Sequence, residues 1–336
     1  MSAVASRLPI SVRIAGTGRH LPSKIVTSEE LDARTGMPSG WTLAHTGVEE
    51  RRYAEGCTAA QMGAAALREA LDLSDWGKQL PELLISGSGT PQQPIPCNAA
   101  LLARELGWNA IACFDVNATC LGFVAALQVA SGLVATGAYA RIAIVCSEIA
   151  STGLNWKEPE SAGLMGDGAA AVLLERCGEG SAKFLGAIFA TWPDGANFTE
   201  IRGGGTALHA TGHRPGENTE DYLFHMDGPA VFRLASANIE SFISQLIGSE
   251  SDRWDAIDWV VPHQASLPAL VHIRRRLRVP AGKFVENIAR QGNVIAASIP
   301  LTLHELIVSG RLQRGQTVLL LGSSAGFSLG AALLRY

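Results

Sequence analysis

The sequence predicts an α/β protein built on buried sheets. Val- and Ile-rich runs of strand length alternate with Ala-rich stretches of helical length, and the same alternation begins again in the second half. Composition agrees: charged residues are 17% of 336 and Gly contributes 36, against a typical charged share of roughly 25%. Such a chain has small side chains for a large core and little charge for a surface. Disorder is disfavoured, and further surface is expected to be hidden in an oligomer.

In chain order, Ser11–Gly16 reads as a strand, Thr58–Leu71 as a helix, Leu83–Ser86 as a strand and Asn98–Leu106 as a helix. Cys113–Val116 is a strand, Cys120–Thr136 a long apolar helix, and Arg141–Cys146 and Ala169–Leu174 are strands. The second half opens with a strand at Phe184–Thr191 and a helix at Ala230–Leu246, apolar at Val231, Leu234, Ile239, Phe242 and Leu246. A strand at Ile257–Val261 ends at Pro262, and Leu267–Leu277 is a helix with an Arg cluster. Ile299–Val308 is a helix with Pro300 in its first turn, where a missing N–H costs little. Thr317–Leu321 and Ser328–Leu334 close the chain as strands. The repeated order predicts two halves of duplicated architecture, residues 1–178 and 179–336. Trp192–Asp221 is a long irregular connection of the kind that forms lids, binding loops or linkers.

Several classes are excluded. Lys and Arg total 27 against 31 Asp and Glu, a net charge of −4, so no nucleic-acid partner is expected. No run of 18 uninterrupted apolar residues occurs, so no membrane span is expected. Met1–Ile10 lacks the apolar region of a signal peptide, which predicts a cytoplasmic protein. The six cysteines form no C-x-x-C pair and read mostly as reduced, buried thiols. His209 and His213 lie among glycines and do not predict a metal site. Gly16-x-Gly18 is a lone fragment and no P-loop occurs, so no nucleotide cofactor is predicted.

The helix from Cys120 is apolar nearly all the way round, which makes it central to the fold. Cys120 at its N-terminus, just after a strand, is either a structural thiol or a nucleophile whose pKa the helix dipole lowers. A nucleophile needs a base or electrophile and an oxyanion site. The candidates are His263 at a strand end, Asn293 before a small-residue helix start, and the Gly322-Ser323-Ser324-Ala325-Gly326 turn. Their bland readings are a satisfied core histidine, a turn residue and a tight hairpin. The last segment also matches the G-x-S-x-G nucleophile elbow, but no His follows it.

Asp115-Val-Asn-Ala-Thr-Cys120-Leu-Gly-Phe, Gly166-Asp-Gly-Ala-Ala-Ala, His263-Gln-Ala, Gly292-Asn293 with Ala297-Ser-Ile-Pro, and Gly326-Phe-x-x-Gly330 fall in order along nearly the whole chain. Together they resemble β-ketoacyl-[acyl carrier protein] synthase III. The resemblance implies a thiolase-like fold of two pseudo-symmetric halves in five αβαβα layers, a homodimer, and a catalytic triad of Cys120, His263 and Asn293. It implies acyl transfer to Cys120 from an acyl-CoA or acyl-carrier-protein primer. Decarboxylative condensation with malonyl-carrier protein follows, with an oxyanion hole from the N–H groups of Cys120 and Ala325 and no cofactor. Trp41 matches a coenzyme A contact, while His45 replaces an Arg there. Phe232 lies in the substrate-binding helix start. Ile95 stands where an aromatic from the partner subunit commonly closes the acyl pocket, predicting a primer longer than acetyl. Arg233, Arg274 and Arg275 are the expected docking residues for acyl carrier protein. Left-handed backbone is expected within Ser324-Ala325-Gly326, where the family has glycines. Two alternatives use the same acyl-cysteine: ester- or amide-forming acyl transfer, whose enzymes tend to alter the triad Asn, and head-to-head condensation of two acyl thioesters.

Overall fold

The computed structural model describes residues 9–178, 180, 182–249 and 253–336. The first eight residues of the segment tested for a signal peptide, and residue 179 at the boundary between the halves, lie outside this set. The first half contributes strands β1 (Val12–His20), β2 (Leu83–Ser86), β3 (Ala112–Asp115), β4 (Arg141–Glu148) and β5 (Gly168–Arg176) to a sheet ordered β1-β5-β4-β2-β3. The second contributes β6 (Lys183–Thr191), β7 (Trp259–Pro262), β8 (Thr317–Ser324) and β9 (Ser328–Arg335), ordered β7-β8-β9-β6.

The sheets repeat one pattern. In the first, β1/β5 and β5/β4 are antiparallel, and β4/β2 and β2/β3 are parallel. In the second, β6/β9 and β9/β8 are antiparallel and β8/β7 is parallel. Where β3 continues the first sheet, Phe284 makes only a single parallel bridge to Val260 of β7.

The helices that form the layers are α1 (Ala59–Asp72), α2 (Asn98–Leu106), α3 (Gly122–Thr136), α4 (Gly228–Ile247), α5 (Leu267–Leu277) and α6 (Ser298–Val308). Strand alternation sorts them into layers. Leu84, Val145 and Leu173 point outward onto α1 and α2, while Leu83, Ile85, Ile144 and Val172 point inward onto α3 and α6. Val318 and Leu320 meet the same pair from the other side, and Leu319 and Leu321 face α4 and α5. The result is the five-layered thiolase-like αβαβα arrangement. By length and composition Thr119–Thr136 would pass as a membrane-crossing helix. Here its Phe123, Val124, Leu127 and Val134 are buried in the central layer.

Gly16-x-Gly18 has a packing role. A Cβ on Gly18 would lie 2.2 Å from the Ala66 carbonyl oxygen, so α1 rests directly on the β1 backbone. Thr58 caps α1 in a reciprocal box with Gln61. Two short paired strands, Lys24–Thr27 and Glu50–Tyr53, and helices Ser28–Thr35 and Trp41–Thr46 add to the predicted elements; they are too short to show an apolar period. The 192–221 connection is mostly short turns, pinned to residues 157–158 by Lys157–Glu220 at 2.6 Å and by the following His225–Glu158 at 2.5 Å.

Candidate active site

Cys120 lies in a 3₁₀ turn, Thr119–Leu121, that runs into α3. The turn is strained: Thr119 has φ of 46°, unusual for a β-branched residue. Its N–H is held by Asn117 Oδ1 at 2.9 Å. Next to it is the turn between β8 and β9. The N–H groups of Ala325 and of Cys120 itself both interact with the Cys120 sulfur, which is the donor pair expected of an oxyanion hole. Left-handed backbone in this turn falls at Gly326 and Phe327, with φ of 78° and 28°, and not at Ser324 or Ala325. The antiparallel register of β8 continues through Ser324, which keeps that residue extended.

His263 follows β7 and is buried. Gly322 lies between it and the Cys120 turn: a Cβ there would be 2.7 Å from His263 Cβ and 3.4 Å from Leu121 Cδ2. Among the described residues no hydrogen-bond partner reaches His263 Nδ1, so the satisfied-core reading does not hold. Burial pushes the imidazole down to about 4, leaving it neutral at physiological pH. Asn293 is fixed from three sides. Its N–H donates to Leu164 O at 2.8 Å, its Oδ1 accepts from Ile295 N–H at 2.9 Å, and its Nδ2 donates to Ala265 O at 3.4 Å.

Burial drives the Cys120 thiol up to about 12, and the Glu148 carboxylate adds to the rise. This overturns the expectation of a thiol lowered by its helix. The α-helix proper begins only at Gly122, and desolvation with a nearby anion outweighs the two N–H groups.

Two cavities lie near the site: the first is lined by His263 and Asn293, the second by Gly89, Thr90 and Ile295, and Cys120 lines neither. One, of about 480 Å³, opens between the N-terminal halves of α4 and α5 and is lined by His263, Asn293, Ser323, Phe232, Arg233 and His45. The other, of about 490 Å³, is lined by Thr90, Ala150, Leu154, Met165, Phe224 and Ile295. Trp41 does not line the first cavity; its ring stacks on His45 at 4.0 Å. Pro229 and Pro268 sit in the first turns of α4 and α5, and Ser266 caps α5. Arg233 reaches the cavity mouth, but Arg274 and Arg275 do not: they lie in the last turn of α5, roughly 10 Å along the axis from Pro268. Ile95 is 84% exposed and lines neither cavity of its own chain.

Sequence reasoning missed Glu148 and the Gly89–Thr90 segment it binds. The available signal was a carboxylate two residues beyond the apolar run Ile142–Cys146.

A thiolase-like fold with a cysteine at the start of its central helix defines a condensing acyltransferase. Comparison with known proteins gives the family. The C-terminal 3-oxoacyl-[acyl-carrier-protein (ACP)] synthase III family model matches residues 251–336, and its companion 3-oxoacyl-[acyl-carrier-protein (ACP)] synthase III matches 114–192. A beta-ketoacyl-[acyl-carrier-protein] synthase III of Methylococcus capsulatus is 32% identical over 96% of this chain and 98% of its own length. The structure of 3-oxoacyl-[acyl-carrier-protein] synthase III from Aquifex aeolicus superposes with a TM-score of 0.86 at 28% identity, covering 97% of this chain and all of that one. The priming β-ketosynthase of the R1128 polyketide biosynthetic pathway gives 0.86 at 26% identity, covering 98% of each chain. The chain belongs to the β-ketoacyl-[acyl carrier protein] synthase III family.

Proposed function

We propose that Cys120 carries the acyl group and that His263 and Asn293 serve the decarboxylation that follows. One observation carries this reading: His263 and Asn293 line one cavity, and only Gly322, with no side chain, lies between His263 and the turn that holds Cys120. The Cys120 sulfur attacks the primer thioester and loses its proton as the carrier thiol leaves. A malonyl thioester then enters the cavity lined by His263 and Asn293. Its bond to the carboxylate breaks, CO₂ departs, and the electron pair passes to the thioester oxygen. Asn293 Nδ2 and a neutral His263 protonated on Nε2 donate to that oxygen; each such donor is worth about 10²–10³ in rate. The enolate carbon attacks the acyl-Cys120 carbonyl. The new oxyanion collapses, expelling the sulfur and releasing a 3-oxoacyl thioester.

The primer is a chain longer than acetyl, delivered on acyl carrier protein. The 490 Å³ cavity supports the first point, since each buried CH₂ contributes about 0.8 kcal/mol. His45 stacked on Trp41 supports the second, because it covers a face that would otherwise take a flat ring. A second copy pairs along the exposed edge of β3 and brings its Ile95 to this subunit's acyl cavity, in a cytoplasmic homodimer; Phe114 on that edge is 37% exposed. The experiment is intact-mass analysis with acyl-carrier proteins of increasing length, followed by malonyl-carrier protein. The reading requires an adduct at Cys120 that disappears as 3-oxoacyl product forms. Acetyl giving the highest specificity constant would contradict the chain-length assignment.

A further inference from the structure

Glu148 ends β4 fully buried, and its hydrogen-bond partners are all neutral. Gly89 N–H donates to it at 2.7 Å and Thr90 N–H at 2.8 Å, joined by the Thr90 hydroxyl and the Ala296 N–H. Gly89 sits between two strained residues. A Cβ on it would lie 2.8 Å from Ile295 Cγ2 and 3.2 Å from the Thr119 carbonyl carbon. Thr119 and Ile295 have φ of 46° and 45°, both β-branched in a left-handed conformation that persists only where its surroundings enforce it. Thr119 directly precedes Cys120, and the Ile295 N–H holds Asn293 Oδ1.

Building on the roles assigned above to Cys120 and Asn293, we propose that Glu148 is a positioning residue. Its carboxyl group gathers Gly89, Thr90 and Ala296 onto one point, wedges Gly89 between Thr119 and Ile295, and sets the nucleophile's turn against that of Asn293. Glu148 touches no reacting atom. The ionised carboxylate is acceptor-only and matches the four converging donors, whereas an amide would turn its own N–H groups toward them in every protonation state. Burial holds this carboxyl up to about 7. The titratable groups facing it are the thiols of Cys120, on the turn before α3, and Cys146, on its own strand. Once ionised it opposes a thiolate at Cys120.

The test compares Glu148→Gln, Glu148→Asp and Thr90→Val, each checked for native circular dichroism. Iodoacetamide alkylation read at the Cys120 peptide across pH is one readout; acylation and CO₂ release, measured separately, are the other. In Glu148→Gln the alkylation profile moves about one pH unit lower. CO₂ release from acyl-enzyme falls about tenfold to a hundredfold, more than acylation falls. Glu148→Asp recovers the alkylation profile, and Thr90→Val shows a smaller loss of CO₂ release. A folded Glu148→Gln protein with the wild-type profile and rates overturns the proposal. If that variant does not fold, wild-type CO₂ release in Thr90→Val overturns it instead. A wild-type protein that takes no acyl group on Cys120 would refute the catalytic assignment, while the alkylation profile would still report on Glu148.

Discussion

Cys120 and Ala296 occupy the same place in the two halves. Each follows a β-branched residue with φ near 45°, each lies in a 3₁₀ turn, and each turn runs directly into a central helix. One copy of this backbone carries the thiol proposed as nucleophile, and the other carries a methyl group whose N–H is spent on Glu148. Their electrostatics diverge as well. The first half sets a thiol near 12 beside a carboxyl near 7, while the second supplies His263 near 4 and the uncharged Asn293. In the proposed mechanism the duplicated frame is split between nucleophile and neutral hydrogen-bond donors.

The largest effect expected from breaking this division is in Cys120→Ala, which should show no acyl adduct by intact mass and no condensation. Adding Ala296→Cys to that variant puts a thiol at the mirrored position. It should still take no acyl group, because the Ala325 N–H acts on the sulfur of Cys120. An adduct on residue 296 would mean that the backbone alone makes the nucleophile.

Gly89→Ala tests the wedge between the two turns. The added methyl meets Ile295 and Thr119, so denaturant unfolding should report a loss of about 1–3 kcal/mol, with turnover reduced.

Stability against pH separates the halves by sign. His263 is lowered from 6.5 to about 4, so the unfolded chain binds more protons between those values and stability rises with pH there. Glu148 is raised from 4.5 to about 7, so the folded chain binds more protons in that window and stability falls with pH. Urea unfolding between pH 4.5 and 6.5 should therefore slope downward with pH in His263→Gln and upward in Glu148→Gln, relative to wild type.

The smallest effect is at the surface. Arg233→Glu at the cavity mouth should raise the Michaelis constant for acyl carrier protein severalfold at low salt and less at high salt. Arg275→Glu, in the last turn of α5, should do less.

Much of this was legible in the sequence. The apolar periods placed all nine main strands and six helices within a few residues, because each buries one or both faces in a core. Cys120, His263 and Asn293 stood out as candidates because chemistry-bearing types stand at the ends of those elements, and the structure places them there. The thiol's raised pKa was not, since it depends on burial and on Glu148 brought in from the next strand. The strain at Thr119 and Ile295 was equally hidden, as neither residue type signals a left-handed backbone. The separation of Arg274 and Arg275 from the cavity mouth needed the direction of α5.

The division of labour is tested most directly by Asn293→Ala, with acylation followed by intact mass and CO₂ release followed from malonyl-carrier protein. The account predicts wild-type acyl occupancy of Cys120 with CO₂ release lower by about 10²–10³. Acylation and CO₂ release falling together, or neither changing, would contradict it.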